Sequence, residues 1–147
     1  MTSVFDVAKY IILKLGPTTH TKLQKLCYYC QAWSLVWDKR PIFKEKIYAC
    51  WNGPTIKELY EAHREEFKIA KINGHSKRLS KNERETIDAV LDFYGSLTAQ
   101  QLMGLLRSEY PYKDLNQDDL EMMTERDEIK LDKMQEFYSS MNEGGKE

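Results

Sequence analysis

Leu23-Gln24-Lys25-Leu26-Cys27-Tyr28-Tyr29-Cys30-Gln31-Ala32-Trp33-Ser34-Leu35-Val36-Trp37 is the densest apolar run of the chain, with 11 of 15 positions hydrophobic. Spanning a bilayer takes about 20 apolar residues, so this run is too short to cross one and must instead be buried inside the protein. Gln24, Gln31 and Asp38 follow one another at intervals of seven, which on a helix draws one narrow polar stripe along an apolar rod. The run therefore predicts a buried central helix. Thr19 or Thr21 can cap its start, and Asp38-Lys39-Arg40-Pro41 ends it.

Working outward, Val4, Phe5, Ala8, Ile11, Ile12 and Leu15 recur at helical spacing and stop at Gly16-Pro17, predicting a short amphipathic helix. On the other side Ile42 to Trp51 reads as extended or turn-rich, with a short strand pair able to form near residues 42–51. Asn52-Gly53-Pro54 reads as a turn whose proline suits the first position of a third helix, carried by Ile56, Leu59, Tyr60 and His63 to about Phe67. Residues 68–79 read as a basic surface loop. Ser80 with Glu83, and Thr98 with Gln101, are capping-box pairs that open a fourth helix stopping at Gly95 and a fifth ending before Pro111. Asp114 to Glu128 is acidic and reads as loop or helical turn; Leu131, Met134, Tyr138 and Met141 mark a last helical face. The expected architecture is mainly α: a single-domain bundle of about six helices over residues 1–141, with 142–147 as a flexible tail.

Composition narrows the function. The chain has 147 residues, 41% hydrophobic and 31% charged, enough for one domain with its own core. Its start lacks the basic and apolar regions of a secretory signal, and three cysteines make no disulfide framework, so a cytoplasmic location is expected. A net charge of -1 gives no global basic field to recruit nucleic acid. Locally, Lys68, Lys71, Lys77, Arg78, Lys81 and Arg84 face Glu83 alone, which leaves a nucleic-acid-binding regulator using segment 68–84 as the alternative reading.

Catalytic chemistry has little to rest on. Cys27-Tyr28-Tyr29-Cys30 with His20 and Cys50 can be written as a zinc set, but the pair lies inside an apolar helix and the other ligands are scattered, so the thiols are read as core. His20, His63 and His75 fall in different elements with no nucleophile motif, and no glycine-rich turn links a strand to a helix to cradle phosphate. No catalytic residue, metal ligand or cofactor is therefore assigned. The aromatic residues are mostly core; Trp51, Tyr110 and Tyr112 beside turns suit either core or interface.

Taken together, Asp6-Val7-Ala8-Lys9-Tyr10-Ile11, Lys22-Leu23-Gln24-Lys25-Leu26-Cys27-Tyr28-Tyr29 with Gln31-Ala32-Trp33, Ala49-Cys50-Trp51-Asn52-Gly53-Pro54 and Leu59-Tyr60 resemble the Panacea domain of SocA-like and phage-associated antitoxins in order and spacing. The chain departs from that pattern at Leu106-Arg107-Ser108-Glu109-Tyr110-Pro111-Tyr112, and in carrying Cys50 between Ala49 and Trp51 and Thr55 after Pro54. The resemblance implies a non-enzymatic antitoxin that neutralises a cognate protein toxin, encoded beside it, by direct binding. For SocA it also implies delivery of the toxin to a Clp-type protease. The candidate toxin-binding residues that follow are Trp51, Asn52, Gly53, Pro54, Tyr60, Glu109, Tyr110, Pro111 and Tyr112. The plainer reading of the Gly53-Pro54 corner is a structural bend that packs the third helix onto the second.

Overall fold

The apolar run lies in the longest helix of the fold. In the computed structural model, which describes residues 2–50, 53–109 and 127–144, it lies within α2 (His20–Trp37), and every residue from Leu23 to Val36 is buried. A helix covered on all sides needs neighbours on all sides. They are α1 (Val4–Leu15), α4 (Lys81–Tyr94), α5 (Ala99–Arg107) and α6 (Leu131–Gly144), all of which pack on α2. Each brings an apolar stripe: Val7, Ala8 and Ile11 from α1, Ile87 and Val90 from α4, Leu102 and Leu106 from α5, Met134 and Tyr138 from α6. With the short α3 (Lys57–His63), six α-helices are present among the described residues, as the periodicity predicts.

The capping signals act as their chemistry requires. Thr19 Oγ1 accepts from the Lys22 amide at 3.3 Å, opening α2. Ser80 and Glu83 exchange side-chain bonds with each other's amides at 3.1 and 2.8 Å, and Thr98 and Gln101 do the same at 3.1 and 2.9 Å. Each reciprocal pair satisfies two amides that the helix leaves orphaned.

The polar stripe of α2 holds neighbouring chain in place, non-helical at Gln24 and Gln31 and helical at Asp38. Gln31 Oε1 accepts from the Ile42 amide at 2.8 Å and the Phe43 amide at 3.3 Å, while its Nε2 donates to the Phe43 carbonyl at 2.9 Å. Two turns earlier Gln24 makes the same clamp on Ile56, accepting from its amide at 2.8 Å and donating to its carbonyl at 3.3 Å. Asp38 Oδ2 accepts from the Thr86 hydroxyl at 2.9 Å and so fastens the end of α2 to α4. Buried backbone groups that no ladder bonds, whether outside a sheet or on its open edge, need such partners, and a primary amide supplies both donor and acceptor in one group.

The expected strand pair forms, and three local expectations are corrected. The strand pair is β2 (Ile47–Cys50) with β3 (Gly53–Ile56), antiparallel with Ala49 opposite Pro54; Ile42 and Phe43 lie outside it, clamped by Gln31. Pro54 is thus a strand residue, tolerated because both strands of a two-stranded sheet are edges, and α3 opens three residues later at Lys57. That helix ends at His63 rather than near Phe67, because the Phe67 carbonyl accepts from the His20 amide at 3.0 Å and β4 (Lys68–Ile69) pairs with β1 (Thr18–Thr19). Residues 68–79 therefore hold β4 and a single 3₁₀ turn, Ser76–Arg78, rather than loop alone. This stretch is pinned to α1: the buried Asp6 carboxylate accepts from the His75 amide at 2.8 Å, and Gly74 lies so close to the Phe5 carbonyl that a Cβ there would stand 2.3 Å from its oxygen. At the far end α6 runs to Gly144.

Candidate functional site

A cleft of about 220 Å³ opens where the start of α2 meets β3, α3 and Phe67. The Gln24 clamp on Ile56 fixes β3 against α2, and Tyr60, one turn into α3, faces back across the gap. Its ring lies tilted against His20, with centroids 5.9 Å apart. His20 is buried, its Nε2 lies 3.2 Å from Gln24 Nε2, and burial, with the nearby His63 as a second cause, pushes its pKa below the ordinary histidine value. The imidazole is thus held neutral, accepting from the Gln24 amide through Nε2. His63 Nδ1 in turn forms a short hydrogen bond with Glu66.

Lys25 supplies the cleft's charge from within. It is 3% exposed, its ammonium donates to the Thr21 carbonyl at 3.3 Å, and burial followed by the cationic Arg107 pushes its pKa down to about 8. The lysine stem fills the space beside Gly53: a Cβ on that residue would lie 3.2 Å from Lys25 Cε and from Met103 Sδ. Gly53 also has φ of 116°, a backbone conformation open to glycine and strained for any other residue. Arg64, with its side chain 59% exposed, stands at the mouth.

Of the residues singled out from sequence, Pro54 and Tyr60 line this cleft and Gly53 lies behind it against Lys25. Trp51, Asn52, Tyr110, Pro111 and Tyr112 lie outside the described residues, as does the acidic stretch through residue 126. Glu109, a candidate contact on the strength of the resemblance, is elsewhere and buried. It is 7% exposed and points into the interior. Its Oε1 accepts from the Tyr29 hydroxyl at 2.9 Å and the Tyr138 hydroxyl at 2.8 Å. Tyr138 has one proton and gives it to Glu109, so Tyr28, 3.1 Å from Tyr138, donates to the Tyr138 oxygen. Tyr94 stacks on Tyr29 at 4.0 Å and accepts from the Trp33 indole at 3.1 Å. Burial raises the Glu109 pKa, the two hydroxyls partly opposing it. Glu109 therefore ties the end of α5 to α2 and α6.

The thiols behave as core. Cys27 and Cys30 are fully buried in α2, burial pushes both pKa values up, and no group of three or more metal-ligating side chains gathers among the described residues. Neither thiol is expected to react with Ellman's reagent in the folded protein, and both should react in denaturant. Reaction of either in the native state at the rate of an open thiol would contradict this placement.

Sequence alone did not single out His20, Gln24, Lys25 and Arg64 as a group. Gln24 was visible in the polar stripe and Lys25 as a cation within an apolar run, but their meeting with α3 depends on the hairpin. No helix among the described residues is long and apolar enough to cross a membrane. A model of the family described as antitoxin SocA-like, Panacea domain, matches residues 23–113. The chain belongs to that family. The match begins in the apolar run and takes in the hairpin, Glu109 and the cleft apart from His20 and Thr21, leaving α1 and α6 outside it. No curated protein and no solved structure matches the chain. In this Panacea domain both Gly53-Pro54 and Glu109 thus lie in the matched region, one beside an open cleft and the other in a buried tyrosine cage.

Proposed function

We propose that this Panacea-domain protein is an antitoxin that neutralises a cognate protein toxin by binding it directly. The observation that carries the reading is the family match over residues 23–113, and family membership implies an antitoxin role and a toxin partner in general. The cleft supports a place for contact: Tyr60, Pro54 and the strongly exposed Phe67 form an aromatic and apolar rim around buried polar groups, the composition of interface anchors. Trp51, Asn52, Tyr110, Pro111 and Tyr112 remain proposed contacts on the strength of the resemblance, whereas Glu109 acts from inside by holding the helix that leads to Tyr110. Catalysis has no part in the reading, and action in the cytoplasm belongs to it. Delivery to a Clp-type protease is a further step that neutralisation by complex formation does not require.

The test is growth. The neighbouring open reading frame is induced alone and together with this chain; arrest by the neighbour and rescue by co-expression are expected. A harmless neighbour, or arrest that persists with the chain present, would contradict the reading. The nucleic-acid alternative has in its favour that Lys68, Lys71, Lys77, Arg78, Lys81 and Arg84 are all exposed. It predicts DNA binding that weakens steeply as salt rises.

A further inference from the structure

We propose that the cleft between the start of α2 and α3 is the acceptor site for a carboxylate side chain presented by the partner protein. The identity of the partner rests on the antitoxin reading; the chemistry rests on the cleft. At about 220 Å³ it is smaller than the pockets that take drug-sized ligands, which begin near 300 Å³, and suits a single inserted side chain.

Its charges are unequal. Lys25 lies in the wall and Arg64 at the mouth, both cationic. The one carboxylate lining the cleft among the described residues, Glu66, is already engaged by His63. Arg107, outside the lining, lies near enough for its charge to act on Lys25. In a partly buried site these charges are screened less than on an open surface, so an entering carboxylate gains more than it would in water. Arg64 is free to turn toward it, because its contact with Glu65 is exposed and long, at 3.9 Å. A guanidinium at the mouth offers the paired donors that match a carboxylate. The walls suit the stem of such a side chain: the tilted His20–Tyr60 pair and Pro54 in the lining present ring and methylene surface to its carbon atoms.

The probe is N-acetyl-glutamate amide, titrated into the full chain and followed by NMR at the His20 and Tyr60 rings, with the neutral glutamine analogue and inorganic phosphate as comparisons. Saturable shifts with the glutamate probe are expected, at least about tenfold weaker for the glutamine analogue and for Arg64→Gln. Equal response to the two amino-acid probes, or shifts elsewhere on the protein, would overturn the proposal. Phosphate binding more tightly than the glutamate probe would overturn it too, marking a small-anion site instead. With the toxin in hand, Arg64→Glu should weaken the complex at least about tenfold, and Arg64→Lys, which keeps the charge but not the paired donors, should weaken it less. Arg64 is exposed, so these variants should keep the parent melting temperature. An Arg64→Glu complex as tight as the parent's overturns the carboxylate site and leaves the antitoxin reading standing. A harmless neighbour with glutamate-probe binding intact does the reverse.

Discussion

Gln31→Leu is expected to cost about 4 kcal/mol. The change keeps the shape of the side chain roughly but removes the acceptor for the Ile42 and Phe43 amides and the donor for the Phe43 carbonyl. All three belong to buried residues outside any ladder, and each buried polar group stripped of its partner costs about 1–3 kcal/mol. For a chain of this length that corresponds to a fall of roughly 10 °C or more in melting temperature. Gln31→Glu separates the two halves of the clamp. Its ionised form accepts from the amides but repels the Phe43 carbonyl, and its protonated form can do both jobs, so the variant should recover stability at low pH. A Gln31→Leu protein that melts within 2 °C or so of the parent would show that the segment at Ile42 is held by other means.

Glu109→Ala is the second, expected to lose about 3 kcal/mol by leaving the Tyr29 and Tyr138 hydroxyls without their acceptor and opening a void between α2, α5 and α6. Glu109→Gln keeps an acceptor oxygen and should cost about 1 kcal/mol or less at neutral pH. The two also differ from the parent in pH dependence. Burial raises the folded-state pKa of Glu109 above its unfolded value, so the folded protein holds that proton to higher pH than the unfolded chain does. The resulting stability is fully present below the unfolded pKa and is lost as pH rises through the folded pKa. Glu109→Gln removes this component, so its difference from the parent should shift in its favour as pH rises through that window. Thermal melts of parent and variant across mildly acidic to neutral pH check the sign; a difference that moves the other way would mean the carboxylate is stabilised, not penalised, by its cage.

These two residues show where sequence is informative and where it stops. The apolar run, its stripe of Gln24, Gln31 and Asp38, and the pairs Ser80–Glu83 and Thr98–Gln101 are local patterns, and each sits in the fold as its spacing implies. What the stripe does is not local: the partners of Gln24 and Gln31 are fixed by how the hairpin and the 42–43 segment return to α2. Pro54 was misplaced because a proline ahead of an amphipathic pattern signals a helix start and an edge strand alike, and the pairing of β2 with β3 decides between them. The burial of Glu109 has no local signal, because the three tyrosines that make it tolerable come from two other helices. The cleft was half legible, since Pro54 and Tyr60 stood out, whereas His20 and Arg64 come from elements joined only in the folded chain.

Direct complex formation is the central claim, and co-purification of the tagged chain with the untagged neighbouring protein tests it most directly. The account predicts a defined complex that survives size exclusion, and loss of growth rescue in any surface variant that dissociates it. A neighbour that is neutralised in cells yet never associates with the purified chain, at concentrations well above those in the rescue, would contradict it.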